Sequence, residues 1–252
     1  MRLFLISLLL AFVFCLPQLA EQMDFPLPAR GLLAIPATGL SYMLVFFHEI
    51  GHTVCAWLFG MPAFPQFDFT HGGGLSRYYD RSYILLAVIW LLMAALAVRL
   101  YRAWHYRWLI VLGIGFALHL LLTFTRLHSV FISFMGHGTE VLVGAFCMLR
   151  AFWNTTEKSH GAAERWLNMV FGIFALLSNM ILTAGLVLSD ISRAAYAMQK
   201  GGHLLGDLDS IARAVHVPVQ AVAGFLFLVA LGVLAAAVYL GRLYTPHPAE
   251  DI

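Results

Sequence analysis

Charge is what this sequence has least of. Acidic and basic residues together make up 11% of the 252 residues and apolar residues 61%, against roughly a quarter charged in an ordinary soluble domain. That leaves almost no room for a water-facing shell, so residues 1–252 are expected to form one helical bundle in lipid. The formal net charge of +2 and the lack of any basic block argue against a nucleic-acid partner. Cysteine is also scarce. Cys15, Cys55 and Cys147 all lie in apolar runs, share no metal-type spacing and are odd in number, which reads as buried thiols without a disulfide framework. No repeat or low-complexity tract is visible.

What the chain does contain is a series of apolar runs, at about 3–20, 39–60, 82–98, 108–125, 127–149, 166–189 and 219–240. Each is close to the length a helix needs to cross a bilayer core, so seven spans are expected. The first reads as an uncleaved helix, because Gln18-Leu19-Ala20 before Glu21 is a poor small-x-small cleavage site. Arg99, Arg102 and Arg107, then Arg150, Lys158 and Arg165, then Arg242 mark one side of an alternating bundle, expected to be cytoplasmic. Arg2 pulls the N-terminus to the same side, which the alternation does not satisfy, so the topology of the first two spans stays open.

Two polar stretches interrupt the apolar runs. Met61-Pro62 should end the second span, since proline lacks a donor and disfavours helix before it. In the linker that follows, Phe64, Phe67 and Phe69 among polar residues suggest short extended pieces, with a turn at Gly72-Gly73-Gly74. A hairpin lying against the bundle fits. The segment 190–217 carries Gly201-Gly202-His203 and Gly206-Asp207-Leu208-Asp209, then a helical pattern through Ile211, Ala212 and Val215 up to Pro218.

From Gly31 to Phe67 the only charged residue is Glu49. It sits in Phe46-Phe47-His48-Glu49-Ile50-Gly51-His52. On a helix His48 and His52 share a face one turn apart, the spacing two imidazoles need to hold one metal. Glu49 lies about 100° round the axis, within reach of a metal-bound water and off the ligand face. An ionisable residue in a membrane helix is costly and reads as functional.

A hydrolytic zinc takes three protein ligands and keeps a fourth position open. Apart from Glu49, Glu140 is the only acidic residue inside an expected span, in Gly136-His137-Gly138-Thr139-Glu140. His137 and Glu140 share a helix face, and His137 ranks ahead of Glu140 as third ligand because histidine is the commoner zinc ligand. The plainer reading is that the two hydrogen-bond each other. Asp207, Asp209 and His203 are rivals from the polar segment, though a solvated loop with a helix cap is preferred for them. His71 is expected to face water. His119 is read as an interhelical hydrogen-bond donor, and Gly113, Gly115, Gly172 and Gly185 as close helix contacts.

At HEIGHTVCAWLFGMPAFPQFDF the chain resembles the site-2 protease superfamily of intramembrane zinc metalloproteases. His48, Glu49, Gly51 and His52 match its H-E-x-G-H string, and Gly60 and Pro62 match its helix end, which a membrane-embedded hairpin follows. Residues Asp207 to Pro218 are similar to the tail of its smaller bacterial members. The resemblance implies Zn²⁺ on His48 and His52, Glu49 as general base, a membrane-protein or membrane-helix substrate, and the bacterial inner membrane as location. That family's third ligand is an Asp in a Leu-Asp-Gly string, and this chain has no Asp-Gly pair. Two other classes remain: a non-catalytic scaffold on the same bundle, and a haem or transport protein using histidines such as His119 and His137.

Overall fold

The computed structural model describes residues 2–23, 25, 30–68, 73–153, 159–198 and 206–243. Expectations for Pro26, Pro28, Phe69, His71, Gly72, Lys158, Gly201, Gly202 and His203 lie outside the described residues. The described chain runs α1 (Arg2–Gln22), α2 (Arg30–Leu58), β1 (Ala63–Asp68), β2 (Gly73–Tyr78), α3 (Tyr83–Arg102), α4 (Tyr106–Thr123), α5 (Leu127–Trp153), α6 (Ser159–Leu188), α7 (Asp190–Met198), α8 (Asp207–Val215) and α9 (Val219–Leu243). Seven of these helices, α1 to α6 and α9, are long and apolar enough to cross a membrane. The protein is an all-α polytopic bundle with one small hairpin. The second span begins at Arg30 rather than near Gly39. Pro36 lies inside it, past the first turn, so the ladder lacks the bond that residue 36 would give the carbonyl of residue 32.

The packing has a centre and a periphery. α5 and α6 are the most enclosed spans, and α3 and α4 face outward along nearly their whole length. Where α5 crosses α6, a Cβ built on Gly172 would come within 2.6 Å of the Gly144 carbonyl oxygen, so two glycines let the backbones meet. Met148, Met169, Ile173, Phe174 and Leu176 are fully buried around this crossing. α1 lays Ser7, Ala11 and Cys15 inward, one small residue per turn, and α6 is its main neighbour. A reciprocal pair secures that contact: Gln18 Nε2 donates to the Ser178 carbonyl at 3.1 Å, and the Ser178 hydroxyl donates to Gln18 Oε1 at 2.8 Å. Gly172 and Gly185 are close contacts as expected, but Gly113 and Gly115 are not. Nothing lies within 4 Å of a Cβ at either, because α4 belongs to the outward-facing pair.

The end of α2 fixes the hairpin. Gly60 takes φ +76°, and Met61 N–H bonds back to the Ala56 carbonyl at 2.9 Å, the left-handed glycine stop of a helix. Trp57 Nε1 then donates to the Ala63 carbonyl at 2.7 Å. β1 and β2 pair antiparallel from Ala63↔Tyr78 to Asp68↔Gly73, and Phe67 stacks on Phe46 of α2 with centroids 5.5 Å apart. Gly73 and Gly74, expected in the turn, are strand residues. Gly74 faces Glu49, whose side chain occupies the place of a Cβ: Cγ would lie 2.4 Å from it.

The polar segment holds two short helices. α8 turns Leu208, Ile211 and Ala212 onto an apolar cluster with Leu186, Val222, Ala223 and Leu226, the helical pattern read from Ile211 to Val215. That burial fixes the helix and thereby aims its first residue, Asp207, at the bundle. α7, between α6 and the undescribed link, was not foreseen. Its Arg193 donates to the Leu186 carbonyl at 2.8 Å, capping the end of α6.

Adding a side chain at the α5–α6 crossing is therefore expected to cost about 1–3 kcal/mol. Thermal unfolding in detergent should show Gly172→Val clearly below wild type and Gly113→Val level with it.

Candidate metal centre

α2 brings His48 and His52 to one face with their Nε2 atoms 3.0 Å apart. Asp207 Oδ2 completes a triangle, 2.9 Å from His48 Nε2 and 3.3 Å from His52 Nε2. Ligands held at usual zinc distances sit about 3.3 Å from one another round a tetrahedral ion, so the three donors are spaced to share one. α5 passes close by because residue 136 is glycine. A Cβ there would lie 2.5 Å from His52 Nε2 and 2.6 Å from His48 Nε2. On the other side of the contact, a Cβ on Gly51 of α2 would meet the Met135 carbonyl oxygen at 2.2 Å. The two glycines let α2 and α5 close round the imidazoles.

The hydrogen bonds assign each ring its tautomer. His52 Nδ1 donates to the Ile132 carbonyl at 2.7 Å, and His48 Nδ1 donates to Glu140 Oε1 at 3.1 Å. In the neutral rings both Nε2 atoms are then lone-pair acceptors, the state a metal-binding histidine needs. Glu140 is buried, with its other oxygen taking His137 Nδ1 at 3.1 Å and Asn179 Nδ2 at 2.8 Å. One carboxylate on α5 thus ties α2 to α6. Asp207 is an anion as well. Burial alone would push its carboxyl up, but a proton carried by the facing His48 or His52 outweighs that and holds it well below the usual carboxylate range. Its position at the first turn of α8 works in the same direction.

With both rings neutral, two lone pairs and an anionic oxygen face one another. A cavity of about 210 Å³ borders the group, lined in part by His48, Glu49, His137, Glu140, Tyr196 and Asp207. Its described lining holds three carboxylates and neither lysine nor arginine. Such an assembly in a lipid-embedded bundle is repulsive unless a cation sits in it. The donor set suits zinc, which favours imidazole and carboxylate ligands in a four-coordinate site.

Glu49, 4% exposed, lies off the triangle, on the hairpin side. Its Oε2 accepts the Ser76 hydroxyl of β2 at 2.7 Å. On the α7 side, the Tyr196 oxygen accepts the N–H of Leu208 at 3.3 Å. Burial, with Asp207 and Asp209 nearby, pushes its phenol up, so Tyr196 keeps its proton.

The third corner differs from the sequence-based ranking. His137 spends its Nδ1 hydrogen on Glu140 and meets His48 ring edge to ring, centroids 4.7 Å apart. It also belongs to a second possible donor group with His48 and Glu140. Using that group would break the bond that sets the His48 tautomer. Asp207 is the residue that joins both histidines of α2 in one group, and the solvated-loop reading fails for it because α8 is pinned by its apolar face. Asp209 makes no part of either group. His119 donates Nε2 to the Leu58 carbonyl at 2.8 Å and stacks on Phe59, the interhelical donor expected. His128 bonds the Thr125 carbonyl. His119 and His137, needed together for haem, hold different partners. Gly136, Ser76, Asn179 and Tyr196 were missed as site residues. Of these only Gly136, beside His137, left a signal, since the others act through folding at long range.

Comparisons with protein-family models, with curated proteins and with solved structures find no match.

The geometry orders the variants. Asp207→Ala should weaken divalent-metal binding most, Glu140→Gln by about 10–100-fold as an outer partner does, and His137→Ala least. Competition with a chromophoric chelator on detergent-purified protein measures this, and a His137→Ala loss exceeding that of Asp207→Ala would return the third corner to α5.

Proposed function

We propose that this protein is a zinc-dependent peptidase that hydrolyses peptide bonds of membrane-embedded or membrane-proximal segments. The observation that carries the reading is the meeting of His48 Nε2, His52 Nε2 and Asp207 Oδ2 beside a cavity that a further buried acid, Glu49, also lines. His48, His52 and Asp207 are the ligands in this reading. Zinc bound there would supply Lewis-acid polarisation of a carbonyl and a water of lowered pKa.

The chain's own residues do the rest. Glu49 takes a proton as water oxygen bonds to the carbonyl carbon, and returns it to the departing amine when the C–N bond breaks. Ser76 holds the Glu49 carboxylate by one oxygen, leaving the other for the proton. A substrate helix must unwind first, since its carbonyls are already hydrogen-bonded within lipid. Among the described strands the hairpin beside the cavity pairs only with itself, and an unwound segment can join one of its edges as an added strand. The absence of a Leu-Asp-Gly string loses its force here, because Gly206-Asp207 brings an aspartate to the same histidine pair.

Glu49→Gln keeps the shape and removes the base. Cleavage of a membrane-helix reporter is expected to fall by about two orders of magnitude or more, with zinc content held at one per chain. Equal cleavage by wild type and variant would defeat the mechanism, and no cleavage by either across several reporters would point to a scaffold. Ser76→Ala should lower kcat by a smaller factor and leave zinc content unchanged, which separates a positioning role from a ligand role.

A further inference from the structure

We propose that the Tyr196 hydroxyl is a further catalytic group of this cavity, donating a hydrogen bond to the oxygen that gains charge as a peptide carbonyl is attacked. The proposal rests on the peptidase reading. It follows from an inventory of donors. Three side chains in the described lining carry a hydrogen to give, His48, His137 and Tyr196. His48 and His137 both give theirs to Glu140, and in the neutral rings the remaining nitrogens are acceptors. Glu49, Glu140 and Asp207 only accept.

Tyr196 is different because its oxygen is already placed from the other side. The N–H of Leu208 points at it, and the ring packs on Gly206, where a Cβ would lie 2.4 Å from a ring carbon and 2.6 Å from the phenol oxygen. With that lone pair engaged, the O–H has one hydrogen left. Among the described residues no acceptor takes it. The open direction is the cavity, which Glu49 also lines.

When water adds to the carbonyl carbon, the C=O pair moves onto oxygen and the water proton goes to Glu49. The Tyr196 hydrogen bonds to that oxygen without transferring. As the tetrahedral carbon collapses, the pair returns, the C–N bond breaks and the amine leaves with the Glu49 proton. A fixed donor strengthens as the charge develops, so its loss lowers kcat while KM changes little.

The test compares zinc-loaded wild type with Tyr196→Phe, which keeps the ring on Gly206. Two probes are titrated by calorimetry: a phosphinic dipeptide, tetrahedral and anionic at phosphorus, and acetohydroxamate, a planar chelator. The variant is expected to keep its zinc, bind acetohydroxamate as wild type does, and bind the phosphinic dipeptide about 100-fold less tightly, with a similar drop in kcat on a helix reporter. Unchanged phosphinic affinity overturns the proposal. So does loss of zinc or an equal loss for both probes, which would make Tyr196 only a brace for α8. Wild type that binds the phosphinic dipeptide but cleaves no reporter sinks the peptidase reading, while the wild-type to variant ratio still decides the part played by Tyr196.

Discussion

Negative charge gathered inside an apolar bundle is the constraint on which the rest of this structure depends. Glu49, Glu140 and Asp207 line one cavity without a lysine or arginine in the described lining, and lipid offers them no water. Each is held by a different device. Glu140 collects three donors from three helices. Glu49 takes a hydroxyl from the hairpin. Asp207 sits in the first turn of α8, whose N-terminus favours its charge, opposite the two imidazoles. Removing any one donor strands a buried acceptor, so the polar parts of α2, α5, α6, α8 and the hairpin are bound into a single network.

Small residues make that network possible. Gly51 and Gly136 let α2 and α5 approach until the imidazoles fill the gap, and Gly74 yields its side-chain volume to Glu49. These contacts differ in kind from the crossing at Gly144 and Gly172, which joins apolar surfaces and carries no chemistry. Stability and site are in this sense built by the same means at different depths of the bundle. The periphery, α3 and α4, meets the bundle at α2 and α5 and is absent from the described lining of the cavity.

Much of the architecture was legible because it depends on local pattern. Seven apolar runs became seven spans, Gly60 and Pro62 ended α2 where helix chemistry says they should, and the Phe-rich linker folded as a hairpin. The histidine pair was equally readable, being one helical turn apart. The third corner was legible only as a choice among His137, Glu140 and Asp207. His137 looked stronger than Asp207 because it lies within a span, whereas Asp207 sits in a polar stretch that resembles a solvated loop. What turns it inward is the burial of Leu208, Ile211 and Ala212, a tertiary contact that no window of sequence reveals. Gly113 and Gly115 erred the other way: composition suggested packing, and their helix has little to pack against.

The separation of Asp207 from the histidines along the chain has a consequence for biosynthesis. His48 and His52 lie 159 and 155 positions before their partner, and four membrane spans, α3 to α6, come between. During synthesis the two rings reach the bilayer early and remain a half-site while those spans are inserted. The triangle closes only when α8 has been made and has settled on its apolar seat. A nascent chain thus carries no finished centre until the bundle around it is nearly whole.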